Sequence, residues 1–306
     1  MSCEFRLLPG DRITGRWNGR TYRVEQKLGE GANGQVYLVR GASGLCALKI
    51  GYDALDFQSE INGFLELQLG AGGSGSYVLD TDDVTLGGQE YPYYVMRYVP
   101  GVSPSRFLAE NGMDWYPVIG YRLLTKLSEL HGRGYIFGDL KSDNILVSGY
   151  GTTELIDYGG LTRFGKAVRQ YTEIYDRGYW RAGTRSADAG YDLFAFAVLC
   201  LELAGDGEHR LARLASDQER NALKLVRLAE QLPACRIVAP VLKACLTGGM
   251  RSAEEARTAW RQCVYAAGAD HAAVRESLPA ALTAFLTGTF IVTAAVFGAA
   301  LYWSFG

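Results

Sequence analysis

Two polar stretches in the middle of the chain carry side chains of the types that move protons and hold metal ions. The first reads D-L-K-S-D-N over residues 139–144, and the second reads D-Y-G over residues 157–159. Asp139 can accept the proton of a hydroxyl group, and Lys141 can neutralise a phosphoryl group in transit. Asn144 and Asp157, thirteen residues apart, are oxygen ligands of the kind that hold Mg²⁺ on nucleotide phosphates. Together the stretches predict phosphoryl transfer from ATP with Mg²⁺, with Asp139 and Lys141 as catalytic residues.

A glycine-rich stretch and a lone lysine precede these residues. Residues 29–36 read G-x-G-x-x-G-x-V between two strand-like runs, which predicts a hairpin over phosphates rather than a dinucleotide fold. Lys49 stands in the apolar run A-L-K-I, thirteen residues after Val36. A lysine on the inner face of a strand needs a partner, and nucleotide phosphates together with Glu60 would supply one. Taken alone, Lys49 could also be a surface lysine with a packed stem. The order of all four features along the chain argues against coincidence.

The segments around these motifs predict two lobes of different architecture. Residues 22–101 alternate short β-branched or aromatic runs with glycine-rich turns, and one helical stretch from Phe57 to Leu69 interrupts them. Residues 102–276 show longer helical periods. The sequence therefore predicts an α+β fold, with an N-terminal extension over residues 1–21, a small β-rich N-lobe with one helix, and a larger α-helical C-lobe.

In this order and spacing, from about Tyr22 to Leu203, the motifs resemble those of the bacterial eukaryotic-type, or Hanks-type, serine/threonine protein kinases. The runs IFGDLKSDN, YTEIYDRGYW and YDLFAFAV resemble in particular the short, tail-anchored YabT-like kinases of spore-forming bacteria. The resemblance implies a bilobal protein-kinase fold, a role in sporulation, and Met96 as the gatekeeper beside the adenine pocket. It implies the following ATP-binding residues: Leu28, Gly29, Gly31, Gly34, Val36, Ala47, Lys49, Glu60, Met96, Arg97 and Val99.

Three departures from the family's pattern bear on regulation. Phe137-Gly138 stands where most members have His-Arg, and Tyr158 replaces the usual Phe. No Pro-Glu follows residues 178–184, so the ion pair that normally ties this segment to later helices is in question. The segment after Asp157 contains three candidate autophosphorylation sites, namely Thr162, Thr172 and Thr184. Because Gly138 cannot supply the arginine that usually reads a phosphate, we expect no obligatory on-switch among them.

The last thirty residues have a different composition from the rest of the chain. Residues 277–306 include no charged side chain, and the 24 residues 280–303 are almost wholly apolar. As a helix this span would be about 36 Å long, enough to cross a bilayer. We expect a transmembrane helix over residues 279–303, after juxtamembrane helices that end near residue 276. Arginines before the span predict a cell-membrane protein with a cytoplasmic kinase domain, and small-xxx-small spacings in the span would suit a homodimer.

The overall charge limits which partners are expected. The chain has 31 basic and 33 acidic residues, a net charge of -2, which excludes the strong positive balance of proteins that coat nucleic acid. Six scattered cysteines without a CxxC pair indicate reduced thiols rather than a metal site. Helical spacing nevertheless gathers Arg220, Lys224 and Arg227, with Arg213, near one face. The simpler interpretation is a solvated helix; the sharper one is contact with a polyanion activator, either DNA or anionic lipid.

The most economical hypothesis is a membrane-anchored serine/threonine kinase that modifies cytosolic proteins and itself. A small-molecule kinase of the same fold is an alternative, since the chain after Leu203 is atypical. A pseudokinase scaffold, or an interaction protein whose kinase domain is incidental, is the other.

Overall fold

The structure is a computed structural model that describes residues 5–31, 33–54, 57–58, 60–62, 78–168 and 171–276. The chain divides into two compact units, residues 1–260 and residues 261–306, and the architecture below is that of the first.

Six antiparallel strands form the N-lobe sheet in the order β1-β2-β3-β4-β6-β5. They span Arg12–Thr14 (β1), Thr21–Gly31 (β2), Gly34–Gly41 (β3), Gly44–Gly51 (β4), Val78–Leu86 (β5) and Gln89–Arg97 (β6). Residues 57, 58 and 60–62 are helical and carry Glu60, whereas the rest of the helix predicted up to Leu69 lies outside the described residues. The predicted β-rich small lobe is confirmed.

The alternation of side chains explains the two faces of this sheet. Leu48, Ile50, Tyr93 and Val95 point into one apolar core, while Lys49 between them points to the opposite face. The stretch predicted as an N-terminal extension adds β1 to the sheet, because residues 12–14 pair with residues 21–23 of β2. The turn after β1 is fastened to β5, where Asp82 accepts hydrogen bonds from the backbone N–H groups of residues 17 and 18.

The C-lobe is mainly helical, as predicted. Its helices span Pro104–Asn111 (α1), Tyr116–His131 (α2), Ala189–Leu203 (α3), Gly207–Ala215 (α4), Ala222–Gln231 (α5), Ala239–Leu246 (α6) and Ala253–Glu276 (α7). Its short strands span Tyr135–Ile136 (β7), Ile145–Ser148 (β8), Thr152–Leu155 (β9) and Thr162–Arg163 (β10). The β8–β9 and β7–β10 pairs hold the loops that carry the polar stretches of the sequence.

Helix α3 is the centre of the C-lobe. It is almost entirely buried from Tyr191 to Leu203, and Asp188 caps its first turn by accepting the N–H of Tyr191 at 3.1 Å. Helix α7 packs onto α2 through Trp260, whose indole N–H donates to the Pro117 carbonyl at 2.9 Å. Gly120 on α2 makes room for that ring, since a Cβ there would lie 2.2 Å from it.

Among the residues that the structure describes, none of the helices has both the length and the apolar character needed to span a bilayer. The apolar segment 279–303, predicted as a transmembrane helix, lies outside the described residues.

Candidate active site

The N-lobe side of the site is a buried ion pair. Lys49 on β4 places its Nζ 2.9 Å from both carboxylate oxygens of Glu60 and 3.1 Å from Oδ1 of Asp157. The side chains of Lys49 and Glu60 are 7% and 5% exposed, whereas that of Asp157 is 49% exposed. The sequence prediction that Glu60 faces Lys49 therefore agrees with the geometry, and Asp157 also contacts Lys49.

Burial and charge compete at these three groups. Burial raises the pKa of Glu60 even though Lys49 opposes the shift. Burial by itself disfavours the Lys49 ammonium, but the carboxylates of Glu60 and Asp157 outweigh it and raise the pKa of Lys49. At Asp157 burial is again opposed by Lys49, which prevails and lowers the pKa of the carboxyl. Lys49 thus stays charged, with Asp157 ionised beside it.

The nucleotide-binding residues predicted from the sequence follow the strands that end at this site. At the end of β2 lie Leu28, Gly29 and Gly31, and at the start of β3 lie Gly34 and Val36. Strand β4 carries Ala47. Strand β6 ends with Met96 and Arg97, and Val99 follows it. Val36 lies directly opposite Lys49, and Ala47 directly opposite Met96. Gly34 must be a glycine, because a Cβ there would lie 2.2 Å from the Ile50 carbonyl oxygen. The Val36–Lys49 and Ala47–Met96 pairs therefore lie on one face of the sheet, beside the ion pair of Lys49 and Glu60.

The C-lobe side is the loop between β7 and β8, which brings together the predicted catalytic residues. Lys141 Nζ lies 2.8 Å from Asp139 Oδ2, and Asn144 Nδ2 donates to the Asp139 carbonyl oxygen at 2.8 Å. Thr172 donates its hydroxyl to Asp139 Oδ1 at 2.9 Å, and Lys141 Nζ lies 3.4 Å from the same hydroxyl. Asp139 therefore already accepts a threonine hydroxyl. The sequence predicts Thr172 as a modification site and carries no signal of its contact with Asp139.

Asp192 explains how the loop keeps its shape without His-Arg. This fully buried carboxylate accepts the N–H groups of Phe137 at 2.7 Å and Gly138 at 2.9 Å, and lies 2.9 Å from His131 Nε2. Gly138 has φ 82°, and a Cβ there would lie 2.1 Å from the Gly160 carbonyl oxygen. Glycine is therefore required at this position by both backbone conformation and space.

The segment from Asp157 to Ser186, which we call the activation segment, lacks the Pro-Glu of the family pattern, and contacts of its residues 175–185 hold it instead. Asp176 is fully buried and accepts hydrogen bonds from the N–H groups of Gly178 and Tyr179, the Tyr191 hydroxyl and the Arg185 guanidinium. In addition, Arg177 pairs with Asp188 at 2.7 Å, and Tyr175 donates to Glu202 at 2.5 Å. Thr162 and Thr184, the two other candidate autophosphorylation sites, have surroundings different from those of Thr172. The Thr162 hydroxyl donates to the Gly160 carbonyl at 2.9 Å, and Thr184 is exposed.

The residues predicted for polyanion contact do not all line one groove. Lys224 and Arg227 on α5 line a groove with Arg210 and Arg213 of α4. Arg220 borders this groove rather than lining it: its guanidinium stacks on the Tyr179 ring at 4.0 Å, its Nε donates to the Tyr179 carbonyl at 3.2 Å, and its Nη1 donates to the Asp217 carbonyl at 3.3 Å. We call the groove lined by Arg210, Arg213, Lys224 and Arg227 the basic groove. Asp217 also lines it and pairs with Lys224 at 2.5 Å, so one acidic group partly balances the four cations.

Comparisons with known proteins agree on one family. The family model of the protein kinase domain matches residues 22–265. The serine/threonine-protein kinase YabT of Bacillus subtilis is 38% identical over 261 residues, which are 83% of this chain and 74% of that protein. Human serine/threonine-protein kinase PAK 4 is 27% identical over 72% of this chain and 38% of its own length. The solved structure of vaccinia related kinase 3 superposes with a TM-score of 0.63 at 16% identity, over 86% of this chain and 92% of that one, which shows a shared fold.

Proposed function

We propose that this chain, which belongs to the protein kinase family and is a serine/threonine protein kinase, transfers the γ-phosphoryl group of ATP to serine and threonine hydroxyls of cytosolic proteins and of other copies of itself. The observation that carries the proposal is the Thr172 hydroxyl on Asp139 Oδ1 at 2.9 Å. A general base has to reach a hydroxyl at about this distance, so the site has the geometry to receive one.

The side chains divide the work between the two lobes. Asp139 accepts the proton that the substrate hydroxyl loses as its oxygen attacks the γ-phosphorus. Lys141, 2.8 Å from Asp139, neutralises the negative charge of the transferring group. Lys49, held by Glu60, binds the α- and β-phosphates and so fixes the nucleotide for in-line transfer. Catalysis then consists mainly of positioning and charge stabilisation.

The donor groups near the phosphates fit Mg²⁺, the divalent ion that protein kinases typically use with ATP. Asn144 donates its amide N–H groups to Asp139, so the amide oxygen is the atom of this side chain that could bind a cation. Asp157 presents a half-exposed carboxylate with a lowered pKa. Both are hard oxygen ligands of the type Mg²⁺ prefers. Bound there, the ion would neutralise phosphate charge during transfer.

The test uses the full-length chain with labelled ATP and Mg²⁺. We expect autophosphorylation on serine or threonine, and we expect Lys49→Ala or Asp139→Asn to lower its rate by orders of magnitude. Asp114→Asn, which removes an exposed carboxylate outside the site, should leave the rate unchanged. Protein, sugar and lipid acceptors assayed side by side separate a protein kinase from a small-molecule kinase. Full activity in Asp139→Asn would disprove the assignment of the base.

We further infer that the kinase acts at the cell membrane. The support is the uncharged segment 277–306 and the apolar span 279–303 within it, which is long enough to cross a bilayer. The same span would allow two copies to associate through small residues, which favours phosphorylation between copies. A role in sporulation is proposed only from the resemblance of the runs IFGDLKSDN, YTEIYDRGYW and YDLFAFAV to those of YabT-like kinases of spore-forming bacteria.

A polyanion, either DNA or anionic lipid, is our proposed activator. The support is the basic groove, in which four cationic side chains lie around one concave surface with a single acidic neighbour. A polyanion would concentrate several kinases along one surface and so raise the rate of phosphorylation between them.

A further inference from the structure

Tyr94 lies on β6 directly opposite Lys49 on β4. Residues directly opposite each other on antiparallel strands point to the same face of the sheet, so both side chains reach towards the helical residues that carry Glu60. The Tyr94 hydroxyl donates to Glu60 Oε1 at 2.8 Å, and Lys49 Nζ lies 2.9 Å from the same oxygen. Two neighbouring strands therefore hold one carboxylate.

The Tyr94 ring makes a second contact with the same segment. Its centroid lies 5.2 Å from that of Phe57, three residues before Glu60, at an interplanar angle of 39°. Gly51 on β4 leaves space for Phe57, since a Cβ there would lie 2.4 Å from the phenylalanine ring. Tyr94 thus contacts the Glu60 segment through both its apolar ring and its hydroxyl.

Burial makes this hydrogen bond directional and strong. Tyr94 is 0% exposed and Glu60 is 6% exposed. Burial and the adjacent Glu60 charge raise the pKa of Tyr94 far above its usual range, so the hydroxyl keeps its proton and can only donate to the carboxylate. Hydrogen bonds to ionised groups in such surroundings are stronger than bonds between neutral groups.

We propose that Tyr94 is a positioning residue for phosphoryl transfer, whose hydroxyl holds Glu60 so that Glu60 in turn holds Lys49 at the nucleotide phosphates. The inference rests on the proposed role of Lys49 in binding ATP. It gives the site an anchor for Glu60 that lies within the N-lobe sheet and requires no phosphate on the activation segment.

The test compares Tyr94→Phe with Tyr93→Phe in the full-length chain. Tyr94→Phe keeps the ring contact and removes only the hydroxyl, and we expect kcat to fall roughly tenfold, as for loss of a hydrogen bond to a charged group. The Kd for ATP should change by no more than about threefold, because Glu60 positions Lys49 rather than binding the base. Tyr93 is the matched control: it is fully buried on the opposite face, and its hydroxyl has no hydrogen-bond partner among the described residues. Tyr93→Phe should leave kcat unchanged.

A double-mutant cycle shows whether the hydroxyl acts through Glu60. In a Glu60→Gln background, Tyr94→Phe should lower kcat by no more than about twofold further, since the charged partner is already gone. Amide hydrogen exchange of the peptide that carries Glu60 should accelerate in Tyr94→Phe and not in Tyr93→Phe, and this measurement does not depend on activity. Unchanged kcat in Tyr94→Phe, an equal loss in Tyr93→Phe, or an undiminished loss in the Glu60→Gln background would each overturn the proposal. An inactive wild-type chain with the expected exchange pattern would instead count against the proposed function.

Discussion

At the scale of single residues, the hydroxyl of Thr172 has the clearest consequence. It donates to the carboxylate of Asp139, the proposed catalytic base, and accepts from Lys141, so it orders both groups. We expect Thr172→Ala to lower kcat by about tenfold, the loss typical of one hydrogen bond to a charged group. Thr184→Ala should retain most of the activity, because that side chain is exposed. The contact of this residue with Arg177 is a hydrogen bond to its backbone carbonyl, which the substitution keeps.

Steady-state kinetics of the two single variants, with Thr162→Ala alongside, checks this prediction. Equal losses in Thr172→Ala and Thr184→Ala would mean that phosphate on the segment is required, contrary to the argument from Gly138. The three threonines are indistinguishable in the sequence because their difference lies in what each faces across the fold.

Gly138 marks a position where the family's usual arginine does not fit. Its φ is 82°, and any Cβ would lie 2.1 Å from the Gly160 carbonyl. Gly134 is a matched control, because it has the same φ of 82° with no atom within 4 Å of its Cβ position. We expect Gly134→Ala to lower the free energy of unfolding by about 1 kcal/mol, the cost of the backbone conformation, and Gly138→Ala by about 3 kcal/mol. Chemical denaturation measures both, and equal losses would contradict the steric argument.

At the scale of elements, the activation segment depends on one buried carboxylate. Asp176 accepts four hydrogen bonds, which join residues 178–179, Arg185 and α3. We expect Asp176→Ala to lower the free energy of unfolding by about 3 kcal/mol, because several buried donors lose their partner together. Tyr191→Phe removes only one of these donors and should cost about 1 kcal/mol. A loss in Asp176→Ala no larger than in Tyr191→Phe would show that the segment is held by other contacts.

The elements themselves were largely predictable from the sequence. Alternating apolar residues predicted the strands around Lys49, and the order of the motifs predicted which residues the two lobes bring together. The strand at residues 12–14 was not predicted, because its pairing with β2 and the contacts of the turn after it with Asp82 lie between distant parts of the chain. The role of Tyr94 was missed for a similar reason, since an aromatic residue in an apolar strand gives no sign that its hydroxyl meets Glu60. Arg220 shares its helical spacing with Lys224 but stacks on Tyr179 of another segment.

At the scale of the whole molecule, the basic groove makes a prediction about salt. If three phosphates of duplex DNA are neutralised there, affinity should fall about 40-fold between ~50 and ~200 mM salt. Replacing Arg213 and Arg227 by alanine should reduce the slope of log affinity against log salt by the equivalent of about two phosphate contacts. The double variant Arg236→Ala with Arg251→Ala, outside the groove, should leave that slope unchanged.

The full-length chain is titrated with duplex DNA and, separately, with anionic vesicles, and both binding and autophosphorylation are followed. Arg220 is left unchanged in these variants because it supports Tyr179. A response to vesicles alone would assign the groove to lipid. Equal weakening of binding in the groove and control variants would show that the four cations of the basic groove have no special role in binding.

The orientation in the membrane is the other prediction at this scale. Arg257, Arg261 and Arg275 precede the apolar span, so the positive-inside rule predicts that residues 1–276 lie on the cytoplasmic side. Protease added to intact spheroplasts should leave the kinase domain undigested, and the same protease should digest it after permeabilisation. Digestion of the kinase domain in intact spheroplasts would show the opposite orientation.

The contact between Lys49 and Asp157 also bears on which inhibitors can bind this kinase. Asp157 sits at a left-handed φ of 56°, and its Oδ1 lies 3.1 Å from Lys49 Nζ. A compound that leaves Asp157 in place binds the conformation that the structure shows. A compound that needs Asp157 turned outward must first break this contact, and its apparent affinity falls in proportion to the population of that outward state. Chemical probes of this kinase are therefore best sought among compounds that bind the closed arrangement of Lys49, Glu60 and Asp157.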